Sequence, residues 1–306
     1  MSIEHGVHHD GLHGDHHDAH HHGKFIAHHF DSAEQQFDAG KMGIWVFLVT
    51  EVLFFSGLFC AYILYRYHHP EIFVQAHHFL DKVLGAGNTI VLLFSSLTMA
   101  LAVRASQLGQ NRSVAIYVLI TMVCASIFLG VKAVEYTHKW DMGIFVRSFF
   151  QYDDHHHAEG ISRYLILASI VPGALLACFG GLALLGMTSK GGFEKAFWGG
   201  MAIMVLGYFI GVGGGMFYMG MSGGEHYTPT ELHHDIGIFF SIYYCMTGLH
   251  AFHVIGGIIA LAWIYYRSLA CHWRPDYFGP VDNVGLYWHL VDLIWIFLFP
   301  LLYLIN

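Results

Sequence analysis

Seven ionisable side chains stand inside apolar runs, where a charge is expensive and a chemical or structural task is the usual reason for it. Glu51 lies nine residues past Met42 in an otherwise apolar stretch, roughly 14 Å deep at ~1.5 Å per residue. A charge at that depth costs about 2.5–3.5 kcal/mol on insertion scales. It reads either as a carboxyl hydrogen-bonded to a neighbour such as Thr50 or Ser56, or as a proton- or lipid-linked group. His250 and His253 stand three apart, as do His289 and Asp292. Two such pairs on facing helices have the donor types of a metal centre. They also suit helix–helix hydrogen bonding by buried imidazoles, and spacing alone does not separate these readings. Lys132 and Glu135, again three apart on one helix face, sit near the end of their run and read as a pair snorkelling to the membrane interface.

The elements that position these groups follow from composition. Of 306 residues, 55 % are hydrophobic and only 12 % charged, about half the charge of an ordinary soluble domain. Seven apolar segments, about 42–66, 83–105, 113–136, 161–187, 196–221, 236–266 and 284–305, each exceed the ~20 residues that cross a bilayer core. In lipid the backbone must satisfy itself, and continuous apolar runs exclude a barrel. The expected fold is an all-α membrane bundle of seven transmembrane helices. Lys and Arg divide eight to six in favour of the N-terminal side, and the last two connections on the far side carry none. This places the N-terminus in the cytoplasm and the C-terminus outside. Gly207, Gly211 and Gly215 repeat every four residues and give one helix a smooth face for close packing.

The net charge of −8 argues against a nucleic-acid partner. Five cysteines without a CxxC spacing give neither a disulfide framework nor a zinc ribbon. Residues 1–40 form a different composition, with eleven His, seven acids and one Lys, and read as a disordered cytoplasmic tail. Its charge is −6 with neutral imidazoles and +5 with all of them protonated. Clustered imidazoles such as His20, His21 and His22 suit weak copper or zinc binding; a proton-collecting role is the other reading. No Walker motif, dinucleotide-binding turn or nucleophile–base pair is present, which points to a subunit rather than a self-contained enzyme.

Three stretches are similar to subunit III of the haem–copper (cytochrome c) oxidases: GIWVFLVTEVLFFSGLFCAY at 43–62, TGLHAFHVIGG at 247–257 and GLYWHLVDLIWIFLFPLLY at 285–303. The match extends over segments one to three, six and seven. It departs from the family in lacking two helices before the Glu51 helix and in carrying two extra spans, about 161–221, within the membrane domain 41–306.

The resemblance implies a non-catalytic subunit of a bacterial inner-membrane respiratory oxidase. It would pack beside subunits I and II and assist proton uptake, with haem and copper in those partners. Phospholipid would be its own ligand, and a larger respiratory supercomplex is a further implied setting. Glu51, His250, His253 and Arg267 match lipid-contacting or buried polar positions of the family, and His289 and Asp292 look like helix-locking groups. The same subunit of a quinol oxidase, and an accessory protein of a nitric oxide reductase, are the neighbouring alternatives. A His-rich metal transporter is a remote one, since it would need ligands along a path through the spans.

Overall fold

A computed structural model describes residues 30, 32–146, 162–188, 192–221 and 235–305. The His-rich segment 1–29, with His20, His21 and His22, lies outside them. Seven helices are long and apolar enough to cross a membrane. They are α1 (Ala33–His68), α3 (Lys82–Gln107), α4 (Asn111–Asp141), α5 (Arg163–Thr188), α6 (Gly192–Met221), α7 (Gly237–Leu269) and α8 (Gly279–Tyr303). A short helix, α2 (Pro70–Ala76), and a 3-10 turn (His77–Phe79) link α1 to α3. No strand occurs among the described residues; Arg274 and Tyr277 form one isolated bridge.

The first helix begins at Ala33, inside the stretch read as tail. The reason is local: Ser32 Oγ accepts from the Gln35 N–H at 3.1 Å, an N-cap that periodicity of apolar residues does not reveal. The early turns then dock on the start of α8. Phe37 packs on Phe278 with centroids 5.4 Å apart, and Lys41 pairs with Asp282. Asp81 caps α3 by accepting from the N–H groups of Val83 and Leu84 at 2.8 and 3.0 Å. Gly109, at φ 69°, follows the last turn of α3 and lets the chain reverse into α4.

The core lies between α3, α4, α7 and α8, around fully buried Phe128, Tyr243, Trp288, Trp295 and Tyr303. The helix α6 packs on α4 through its glycine face. A methyl at Gly207 would stand 2.9 Å from Val123 O, one at Gly211 would overlap Ile127 O, and Gly130 of α4 faces Tyr208 O in the same way. The helix α5 packs in turn on α6. Pro172 of α5 has no N–H, which frees the carbonyl four residues earlier. Tyr208 of α6 donates to that carbonyl, Ala168 O, at 3.3 Å, so the backbone acceptor is satisfied within the bundle.

Candidate functional site

Glu51 is met by His253, which approaches across the contact of α1 with α7. His253 Nδ1–H donates to Leu249 O at 2.8 Å, one turn back on its own helix. Its Nε2 then faces Glu51 Oε2 at 2.9 Å. Two bare lone pairs would repel at that distance, so one proton lies between imidazole and carboxyl. Phe55 stands edge-on to the imidazole, centroids 5.1 Å apart, and the Tyr287 hydroxyl donates to His253 O at 2.9 Å. The side chains keep 19 % and 15 % of their surface for Glu51 and His253. The pair therefore reaches the bundle surface at membrane depth instead of lying in the core. The neighbours expected for Glu51 do not hold it: Thr50 donates to Phe47 O at 2.6 Å and Ser56 to Val52 O at 2.7 Å. Short hydroxyls inside a helix bond back to their own preceding turn, which takes them out of reach.

His250 is fully buried, and its Nε2–H donates to Val291 O of α8 at 3.1 Å. Its ring lies against Phe128 and Trp295, centroids 5.5 and 5.3 Å apart. His289 and Asp292 turn toward α3 instead. Ser96 Oγ meets His289 Nδ1 at 2.6 Å. Ser95 Oγ lies 3.5 Å from Asp292 Oδ2 and accepts from Trp288 Nε1 at 3.1 Å. The two three-apart pairs thus serve different helix contacts. Among the described residues no three His, Cys, Asp or Glu stand together as a metal-binding group.

Lys132 and Glu135 differ from the snorkelling pair expected of them. Both are buried, at 4 % and 1 % exposure. Glu135 Oε2 accepts from Lys132 Nζ at 2.8 Å, and Oε1 accepts from Lys139 Nζ at 2.8 Å, from Tyr243 at 2.8 Å and from Tyr303 at 2.6 Å. Lys132 Nζ also donates to both tyrosine hydroxyls and lies 5.1–5.5 Å from the rings of Tyr136, Tyr243, Trp295 and Tyr303. The aromatic walls and the second ammonium supply what water would have supplied at the interface. Lys139, four residues after Glu135, was legible as a third member from spacing alone. Tyr243 and Tyr303 come from distant helices and were not.

Arg267 closes α7 with its guanidinium over Trp263 and Trp273, 5.3 and 5.9 Å from their centroids. Trp273 is held in place by Asn111, which accepts from its N–H at 2.8 Å and donates to its carbonyl at 2.9 Å.

Residues 196–306, which take in most of α6 with α7 and α8, match the family model described as cytochrome c oxidase subunit III. A probable cytochrome c oxidase subunit 3 from Nocardia farcinica is 34 % identical over 101 residues, 32 % of this chain and 50 % of that protein. The chain therefore spans about half the length of that relative. Cytochrome c oxidase subunit 3 of Thermostichus vulcanus is 23 % identical over 284 residues, 90 % of this chain and 92 % of the relative. That of Synechocystis sp. is 23 % identical over 270 residues, 88 % and 76 % of the two chains. With seven apolar helices and a polar set on α1, α7 and α8 at the positions of the three resembling stretches, the chain is similar to the cytochrome c oxidase subunit III family, whose model it matches over residues 196–306.

Proposed function

We propose that this chain is a non-catalytic subunit of a bacterial respiratory haem–copper oxidase, set in the inner membrane beside subunits I and II. It supports proton uptake and protects subunit I while dioxygen is reduced to water with electrons from cytochrome c. The observation that carries the reading is how the intramembrane imidazoles are used. His250 is engaged by Val291 O, His253 by Glu51 and Leu249 O, and His289 by Ser96. Each joins two helices or one helix to itself, which is the work of a scaffold. Haem and copper then belong to the partner subunits. Arg267, held at the end of α7 by two tryptophans, is suited to the phosphate of a phospholipid as a guanidinium at membrane-interface level.

Removing this chain from the assembled oxidase tests the proposal. Initial turnover should persist, and activity should then decay within fewer turnovers than in the intact complex. An oxidase that loses all activity at once, or that lasts equally long without the chain, contradicts it.

A further inference from the structure

The short helix α2 does more than connect α1 to α3. It has seven residues, too few to hold a helix in isolation, so packing holds it. Ile72, Phe73 and Ala76 are fully buried. The Phe73 ring stands edge-on to Tyr62 of α1 and to Phe239 of α7, with centroids 5.3 and 5.2 Å apart. Phe79 of the following turn meets Phe240 of α7 at 6.1 Å. The helix is therefore a wedge between α1 and α7. Tyr62 also ties α1 to α8 by donating to Leu301 O, and it accepts from Arg66 at 3.2 Å. Whatever loosens Phe73 thus loosens this end of α1, whose opposite end is held separately by Lys41 and Asp282.

His77 closes the wedge. It is the C-cap of α2: its backbone N–H donates to Phe73 O, and its ring Nδ1–H donates to Val74 O at 2.7 Å. A helix end favours a cation, but this imidazole is buried and its charged neighbours are unfavourable. The His78 ring centroid is 4.0 Å away, and Lys82 opens α3; both oppose a positive charge on His77. Nearby carboxylates do not offset them. Asp81 accepts from the Val83 and Leu84 N–H groups, and Glu71 is exposed near the other end of α2. Among the described residues no titratable side chain of α1 or α7 is one of the groups that act on it. We infer that α2 with His77 is a pH-sensitive clasp: it stays docked between α1 and α7 while the imidazole is neutral, and protonation releases it together with this end of α1. The clasp lies at the end of the bundle opposite the N-terminus, which the distribution of Lys and Arg places outside. Acid on that side, where an energised membrane accumulates protons, is then the signal. The inference does not depend on the role proposed above.

The test is hydrogen exchange read by mass spectrometry on the full complex from native membranes in mild detergent. It is run at about pH 7.5 and about pH 5.5, either side of the ordinary imidazole value, with rates corrected for the intrinsic effect of pH. Protection of residues 70–80, and of 59–68 at the end of α1, should fall several-fold at the lower pH, while amides of α4 keep theirs. His77→Gln should remove the difference between the two pH values. His78→Glu places a carboxylate beside the imidazole, so the clasp should stay closed at the lower pH; this variant decides the matter even where His77→Gln fails to assemble. Equal protection at both pH values in the unsubstituted complex would overturn the inference. So would an unchanged loss in His77→Gln or in His78→Glu, which assigns the effect to another group. A loss confined to 70–80, with 59–68 still protected, would mean that α2 does not hold α1, and the clasp falls likewise.

Discussion

Glu51 and His253 are 202 residues apart in the chain and 2.9 Å apart in the fold, joining α1 to α7 at membrane depth. The helix α1 has few other polar ties to the bundle. At its ends, Lys41 pairs with Asp282, and Tyr62 donates to Leu301 O; between them, this pair is its one side-chain hydrogen bond to α7 among the described residues, beside the ring contacts of Phe54 and Phe55 with His253.

Glu51→Gln keeps a polar group within reach of the imidazole and should preserve assembly and thermal stability. Glu51→Leu leaves His253 Nε2 without a partner and should cost about 1–3 kcal/mol. Thermal unfolding of the isolated complex measures the difference. A Leu variant as stable as the Gln variant would show that the pair contributes nothing.

Gly211 faces Ile127 O without room for a Cβ, whereas Gly213, two residues away, has nothing within 4 Å. Gly211→Leu should separate α6 from α4 and lower stability by ~1–3 kcal/mol or more, as forced overpacking does. Gly213→Leu should be near neutral. Equal effects of the two substitutions on unfolding temperature would refute the close α4–α6 contact.

Glu135 is the only carboxylate bonded to Lys132 and Lys139 in the described cluster. Glu135→Leu leaves two buried ammonium groups without it and should cost about 3–5 kcal/mol, enough to block accumulation of the protein in membranes. Converting Lys132 and Lys139 to Met at the same time should restore much of it. Failure of the triple variant to recover beyond Glu135→Leu would mean that charge compensation is not the cluster's role.

The His77 imidazole lies outside the spans, buried at 4 % exposure, with Nδ1 donating to Val74 O at 2.7 Å. Burial pushes it below the usual His range, helped by neighbouring His78 and Lys82. The folded protein thus binds this proton less readily than the unfolded chain. Its contribution to stability is full above the unfolded value of ~6.5 and declines as pH falls below it. His77→Gln should flatten the loss of thermal stability between neutral and mildly acidic pH. An unchanged pH slope would rule His77 out as the cause.

How much of this was legible in the sequence differs from element to element. The seven spans follow from run length, because a bilayer demands one apolar stretch per crossing. The α6 seam follows from Gly207, Gly211 and Gly215, although the repeat does not say that α4 is the partner. The partner of Glu51 was missed because it comes from 202 residues away, and Thr50 and Ser56, adjacent in sequence, spend their hydroxyls on their own helix. Lys132 was misjudged because its position near a helix end suggests water. The aromatic cage that replaces water is assembled from α4, α7 and α8, and no local pattern encodes it.

The most direct test of the central claim is a haem count on this chain in two settings. Purified by an affinity tag from its native membranes, it should bring a haem-bearing subunit with it and show an oxidase spectrum. Expressed alone and folded, it should show no Soret band. Stoichiometric haem on the isolated chain, or native complexes without any haem, would contradict the account.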